Sequence, residues 1–388
     1  MEISACVKYV GVNDHQVDLF EGQYKVPNGM SYNSYVILDD KIAIMDTVDG
    51  FFTEEWLNNV EQVLDGKMPD YLVIQHMEPD HSASIPAFLK KYPKVTVVST
   101  AKGFQFMEQF FPEFFAEQGL PAEQRIVAAN DGVLELGQHS LHFVYAPMVH
   151  WPEVMMTYEA TEKILFAADG FGKFGALDVE EEWADEARRY YIGIVGKYGP
   201  QVQAVLKKAA GLDIQTICSL HGPVLKENLG FYLEKYDKWS SYQPEESGVV
   251  IAYASVYGNT INAAEYLADV LHEKGQKTVL YDLARCDKAK AVADAFRYDR
   301  LVLAGITYNG DLFPCMRSFI EGLTERNYQN RKVAIIENGT WAPMAGKLIL
   351  GMFEKSKNLT FTETTVSIKS AMNAQNKSEI GKLAEELC

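Results

Sequence analysis

Between positions 76 and 81 the chain reads His76-Met77-Glu78-Pro79-Asp80-His81, four potential metal ligands in six residues, just after the apolar run Tyr71-Leu72-Val73-Ile74 and Gln75. A loop leaving a strand can turn such side chains toward one point, and burying so many ionisable groups together is costly unless a cation compensates. Three more candidates each follow an apolar run: His150 in Val149-His150-Trp151-Pro152, Asp169 after 164–168, and His221 after 214–220. The inventory is four histidines and three carboxylates, enough for two metals with one carboxylate bridging. Imidazole and carboxylate together suit redox-active iron or manganese better than a thiolate-rich zinc site would. His15, His139, His142 and His272 have no such context and read as ordinary surface or core histidines.

A second constellation lies in the last third of the chain. After the apolar run Val249-Val250-Ile251-Ala252-Tyr253 comes Ser255-Val256-Tyr257-Gly258-Asn259-Thr260, then a helical pattern carrying Ala263, Tyr266, Leu267 and Val270. Hydroxyls and backbone N–H groups at a helix N-terminus form a nest suited to a terminal phosphate. The loop has neither the Gly-x-Gly-x-x-Gly dinucleotide pattern nor a Walker lysine, which argues against NAD and ATP at this position. Two further loops fall where a doubly wound sheet presents its carboxyl edge: Gly305-Ile306-Thr307-Tyr308-Asn309-Gly310 and Glu337-Asn338-Gly339-Thr340-Trp341-Ala342-Pro343. Tyr308 and Trp341 offer flat faces for ring stacking.

The elements that must position these residues differ between the two parts of the chain. In the first 170 residues, short apolar runs at 34–38, 42–45, 71–74, 95–98, 141–145 and 164–167 alternate with turns and read as strands. Helical periodicity is clearest over 186–209 and 229–239, and the polar stretch 240–247 reads as a linker. Beyond it, strands and helices alternate regularly, which implies right-handed crossovers and a parallel doubly wound sheet. The expected domains are therefore 1–246 and 247–388. Their charges differ: 17 basic and 16 acidic residues follow Ser247, whereas 19 basic and 37 acidic precede it. The net charge of −17 thus belongs to the first domain, and it disfavours nucleic acid and anionic membrane as partners.

Cys6, Cys218, Cys286, Cys315 and Cys388 are widely spaced, with no Cys-x-x-Cys pair, as in a protein of a reducing compartment. The N-terminus lacks the basic and apolar stretches of a leader, and no uninterrupted apolar run has the length of a membrane span, so a cytoplasmic location is expected.

The first constellation resembles the His-x-His-x-Asp-His signature of the metallo-β-lactamase fold, an αββα sandwich, with Glu78 where most zinc hydrolases have their second histidine. With His150, Asp169 and His221 it is similar to the diiron site of the flavodiiron proteins, and the three later loops resemble the flavodoxin fold. That resemblance spans essentially the whole chain and implies two cofactors, FMN and a pair of non-haem irons. Carried over by position, it implies His76, Glu78 and His150 on one iron, Asp80, His81 and His221 on the other, and Asp169 between them. It likewise implies that Ser255 to Thr260 receive the FMN phosphate while Thr307, Tyr308, Asn309, Gly310, Asn338, Gly339, Thr340 and Trp341 flank the flavin ring. The implied activity is reduction of O2 to water, of NO to N2O, or both, with electrons from a rubredoxin-type donor. A head-to-tail homodimer, or a dimer of such dimers, is implied as well, placing one subunit's FMN beside its partner's irons. With no Cys-x-x-Cys pairs and no residues beyond the flavodoxin-like part, the resemblance is to the short two-domain class, and that class is expected. The competing readings are a metallo-β-lactamase-type hydrolase with a flavodoxin-like accessory domain, and an electron carrier with a merely structural first domain. Glu78 and the flavodoxin-like half weigh against the hydrolase, and the full set of seven ligand types weighs against the carrier.

Overall fold

Short, β-branched strands whose residues alternate between two faces can bury one face only against a second layer, and the first part of the chain does this with two sheets. A computed structural model describes residues 3–388. It divides into two compact units, one made of residues up to Tyr191 together with Pro200–Glu234, the other of Ile192–Gly199 with Lys235–Cys388.

In the first unit a six-stranded sheet runs in the order Val7–Tyr9, Tyr35–Ile37, Ala43–Met45, Tyr71–Val73, Thr96–Ser99 and Arg125–Val127. A five-stranded sheet follows in the order Val133–Glu135, Ser140–Tyr145, Met155–Glu159, Ile164–Phe166 and Thr216–Cys218. Tyr35, Ile37, Met45, Val73 and Val98 of the first sheet share one buried cluster with Leu141, Phe143, Met155, Phe166 and Cys218 of the second. This is the metallo-β-lactamase-like sandwich, and all six strands read from the sequence are present with ends shifted by a residue or so.

Two local expectations change. The helix read over 186–209 is interrupted: Trp183–Tyr190 is helical, Tyr191–Val195 widens into a π turn, Gly196–Tyr198 tightens into a 3₁₀ turn, and Gly199–Ala209 resumes. Gly193, Gly196 and Gly199 weaken helix propagation, and Pro200 fits the first turn of a new helix but not the interior of an old one. The stretch 240–247 is polar in composition but is not a loose linker. Glu245 accepts hydrogen bonds from Trp239 Nε1 and Lys235 Nζ, both at 2.7 Å, and the Tyr242 hydroxyl donates to Gly196 O at 3.0 Å. The strand Glu246–Tyr253 begins within it.

The second unit is a parallel sheet in the order Thr278–Asp282, Glu246–Tyr253, Tyr298–Tyr308, Arg331–Asn338 and Leu359–Ile368. Its second, first, third, fourth and fifth strands therefore lie side by side, the flavodoxin-like order. Helices Asn259–Glu273, Lys288–Arg297, Pro314–Thr324 and Ala345–Met352 make the crossovers, and Ala374–Glu386 follows the last strand. Covered strands need apolar residues on both faces, which explains the unbroken run from Val249 to Ala254. The 255–260, 305–310 and 338–343 loops all leave the carboxyl ends of adjacent strands. Among the described residues no helix is long and apolar enough to cross a membrane.

Candidate metal centre and flavin edge

Each of the seven residues singled out in the first unit leaves the end of a strand or the loop after it. Tyr71–Val73 feeds the 74–78 turn and the short helix Pro79–Ser82 that carries Asp80 and His81, Ser140–Tyr145 leads to His150, Ile164–Phe166 to Asp169 and Thr216–Cys218 to His221. The structure brings all seven together as two adjoining donor sets. In one, His150 Nε2 lies 3.0 Å from Glu78 Oε2 and 2.9 Å from Asp169 Oδ2, with His76 Nε2 at 3.2 Å and 3.5 Å from the same two oxygens. In the other, Asp80 Oδ2 lies 3.4 Å from His81 Nε2 and 3.3 Å from His221 Nε2, and the two imidazole nitrogens are 3.0 Å apart. Asp169 faces both, because its Oδ1 is 3.5 Å from His81 Nε2 and 3.9 Å from His221 Nε2. His81 thus points into the second set rather than away from it.

Residues outside the set aim the rings. Glu153 Oε1 accepts from His76 Nδ1 at 3.0 Å and from Met77 N at 2.9 Å, and His221 Nδ1 donates to Ser31 O at 2.8 Å. A ring held at Nδ1 presents Nε2 as the free ligand atom, the usual outer arrangement of metal-binding histidines. Asp46 holds the start of the turn by accepting from Gln75 N at 2.7 Å and Gln75 Nε2 at 2.8 Å. Burial pushes the Asp46 carboxyl up to about 7 against those two hydrogen bonds. None of these supporting groups stood out in the sequence. Glu153, three residues beyond His150, was the nearest to a visible signal, whereas Ser31 acts through its backbone and leaves none.

The electrostatics describe a pocket assembled for positive charge. Burial alone would depress His76, His150 and His221, yet all three are raised: the Asp169 carboxylate acts most on His76, and its hydrogen bond, with that of Glu78, lifts His150 to about 9. Hydrogen bonds from His150 and His76 outweigh burial at Glu78 and hold its carboxyl down, and the His76 charge does the same at Asp169. At His81 burial wins and lowers the ring to about 4. Asp80 Oδ1 and Oδ2, Asp169 Oδ1 and His81 Nδ1 are buried with no hydrogen-bond partner. Orphaned buried carboxylate oxygens are costly and rare, and those of Asp80 and Asp169 lie among convergent imidazole nitrogens, so the residues present fit a pair of cations. Phe20, Tyr32 and Tyr190 pack edge-on or tilted against His221, and Trp151 stands edge-on to His76, which keeps water out.

At the edge of the second unit, Gly258 at φ +88° turns the chain into the helix Asn259–Glu273, and Ser255 Oγ accepts from Ile261 N at 3.3 Å. Asn309 at φ +51° and Gly310 at φ +72° form the tight tip of the second loop. Thr307 Oγ1 accepts from Met344 N at 2.8 Å and Ala345 N at 3.1 Å, tying the second loop to the end of the third. Asn338 Nδ2 donates to Ser370 O at 2.8 Å and lies 3.4 Å from the Thr260 hydroxyl, tying the third to the first. Thr340 Oγ1 meets Ser370 Oγ at 3.1 Å, and a Cβ at Gly339 would clash with Pro343, so this turn requires its glycine. Val256 is exposed, and Tyr257 and Trp341 are each 91% exposed while Tyr308 is 48% exposed with its edge on Phe313. Three bare aromatic faces around a phosphate-type nest suit a flat anionic ligand such as a flavin mononucleotide.

Residues 30–222 match the family model described as ODP family beta lactamase, and residues 250–358 match a flavodoxin domain. Diflavin flavoprotein A 1 of Synechocystis sp. is 33% identical over 71% of this chain, which spans only 48% of that protein. The anaerobic nitric oxide reductase flavorubredoxin of Vibrio vulnificus is 27% identical over 96% of this chain and 75% of its own length. Among solved structures, the flavodiiron protein from Giardia intestinalis superposes with a TM-score of 0.90 at 25% identity, covering 100% of this chain and 96% of that one.

Proposed function

The chain belongs to the flavodiiron proteins, and on that premise we propose that it is an oxidoreductase that reduces O2 to water, NO to N2O, or both, with FMN and a non-haem diiron centre as cofactors. The observation that carries the reading is Asp169, whose two oxygens face two separate donor sets, one completed by Glu78 rather than by a third histidine. His76, Glu78 and His150 would hold one iron, Asp80, His81 and His221 the other, with Asp169 common to both. Ser255, Val256, Tyr257, Gly258, Asn259 and Thr260 would take the FMN phosphate, and the 307–310 and 338–341 loops the ring. When bound, the irons supply adjacent one-electron sites for a diatomic gas and the flavin supplies reducing equivalents from a one-electron donor.

What the chain itself contributes is positioning and charge. Glu153 and Ser31 fix the His76 and His221 rings so that Nε2 of each points inward. The carboxylates of Glu78, Asp80 and Asp169 offset cationic charge that changes between oxidation states, and the aromatic wall excludes water that would compete for the open side. Reduction of O2 to water consumes four electrons and four protons, and joining two NO molecules as N2O and water consumes two of each. Water exclusion favours complete reduction over escape of a partly reduced product.

A rubredoxin-type donor, a head-to-tail homodimer or dimer of dimers, and a cytoplasmic location complete the proposal. The five cysteines, all free, agree with a reducing compartment. The hydrolase alternative has no support in a donor set lacking the second histidine of the zinc pattern. The test is anaerobic reduction of purified protein followed by separate addition of O2 and NO. Rapid flavin re-oxidation with consumption of at least one gas is expected; zinc in place of iron with ester or lactam cleavage would overturn the reading.

A further inference from the structure

Three segments far apart in sequence meet at one end of the first unit. Cys6 lies just before the strand Val7–Tyr9, His139 in the turn joining Val133–Glu135 to Ser140–Tyr145, and Glu162 in the turn joining Met155–Glu159 to Ile164–Phe166. One donor atom from each falls within 4.8 Å of the other two. Nothing in the residues flanking His139 singles it out, because its partners come from other elements.

The histidine is held as a metal ligand is usually held. Asp39 Oδ2 accepts from His139 Nδ1 at 2.8 Å and from the backbone N–H groups of Gln138 and His139, each at 2.7 Å. Asp39 reaches that turn because Gly137, at φ +133°, has no Cβ; one placed there would sit 2.8 Å from Asp39 Oδ1. With Nδ1 fixed, Nε2 faces Glu162 Oε1 at 3.5 Å, beyond ordinary hydrogen-bond length. The other Glu162 oxygen, Oε2, is buried with no partner. His139 itself is 4% exposed. The Glu162 turn is in turn fixed by Glu159, which accepts from Thr161 N at 2.8 Å and Glu162 N at 2.6 Å. Leu38 N donates to Cys6 O at 2.9 Å, placing Cys6 beside the Asp39 segment.

We propose that Cys6, His139 and Glu162 form a second metal site, separate from the seven-residue centre and suited to Zn²⁺, with Asp39 orienting the imidazole. Thiolate, imidazole and carboxylate are the usual zinc donors, and bonds of about 2.0–2.3 Å around a tetrahedron separate ligand atoms by roughly 3.3–3.8 Å, so small closing movements suffice. The fourth position is left to water. The ion clamps the N-terminal strand to two turns of the opposite sheet and binds in place of a proton at Cys6, which couples its binding to stability.

The test exploits sulfur, which the seven-residue centre lacks. Protein loaded with iron and FMN is equilibrated with Zn²⁺ alone, and in parallel with Co²⁺ as a spectroscopic probe. The wild type should take up one further equivalent of zinc, melt at higher temperature with it, and show near-ultraviolet thiolate-to-cobalt absorption. Cys6→Ser should lose that band and bind zinc at least tenfold more weakly while keeping its iron and flavin. Glu162→Gln, which leaves the thiol in place, should weaken binding and retain a thiolate band at higher cobalt concentration. No thiolate band in the wild type, or an equal band in Cys6→Ser, overturns the site. The first result would mean that His139 is simply a protonated partner of Asp39 and Glu162, and the second that another cysteine binds the probe.

Discussion

Glu153 is bound to the metal centre only through others, by hydrogen bonds to His76 Nδ1 and Met77 N, and is 3% exposed. Removing it leaves His76 free to rotate or change tautomer, so Glu153→Ala should weaken iron retention by about 10–100-fold. Chelator competition on the purified variant measures this, and retention equal to wild type would show that His76 needs no orienting partner. The seven proposed ligands were legible in the sequence because four crowd into six positions and the others each follow an apolar run. Their supports were not, because a carboxylate beyond a strand end or a backbone carbonyl carries no distinguishing residue type. A different residue-scale expectation concerns Cys286, whose thiol burial and then the nearby Asp287 and Asp282 carboxylates push up to about 11. Its alkylation by iodoacetamide should therefore rise about tenfold per pH unit from pH 7 to 10, the thiolate fraction being limiting. A rate flat across that range, read by peptide mass spectrometry, would contradict the assignment.

At the scale of elements, the first turn of the helix Asn259–Glu273 must accept a dianionic phosphate if FMN binds there. Asn259→Glu tests this cleanly, because an acidic residue in a first helical turn favours the helix while repelling the phosphate. Compared as flavin-free proteins, variant and wild type should match in stability within about 0.5 kcal/mol, yet the variant should lose most of its flavin binding; full flavin content would move the phosphate elsewhere. The strand Glu246–Tyr253 opens on a charge cluster, with Glu246 accepting from Lys277 Nζ at 2.8 Å and Arg297 Nε at 2.7 Å. Those bonds, that of Lys277 first, hold the Glu246 carboxyl below its ordinary range. A lowered folded-state value means stability that is present above the ordinary glutamate range and lost as pH falls through the folded value. Glu246→Gln should thus cost about 0.5 kcal/mol near pH 7 and progressively less as pH falls below the ordinary glutamate range, by denaturant titration at each pH. The parallel sheet and the sandwich strands were legible because period and apolar runs report burial directly. The interrupted 186–209 helix was not, since glycine lowers helix propensity only modestly and tertiary packing decides whether the break occurs.

For the whole molecule, the uneven charge already separated an acidic metal-binding part from a near-neutral part in the sequence. Which chain's flavin serves which chain's irons is a property of assembly that no residue pattern records. The proposed head-to-tail dimer makes a complementation experiment decisive. Co-expression of Asp169→Asn subunits, impaired at the metal centre, with Asn259→Glu subunits, impaired at the flavin site, gives heterodimers with one intact flavin–metal pair. About a quarter of wild-type activity should return from two inactive parents, and no recovery despite confirmed heterodimers would mean that each chain works alone. The central claim, that the Asp169-centred pocket reduces O2, NO or both, is tested most directly by comparing wild type with Asp169→Asn under limiting reductant, following gas consumption electrochemically while assaying peroxide and N2O. Wild type should consume O2 without releasing peroxide, or convert NO to N2O, and Asp169→Asn should lose at least 100-fold in rate while retaining FMN. An Asp169→Asn variant that consumes the gas at the wild-type rate would place the chemistry outside this pocket.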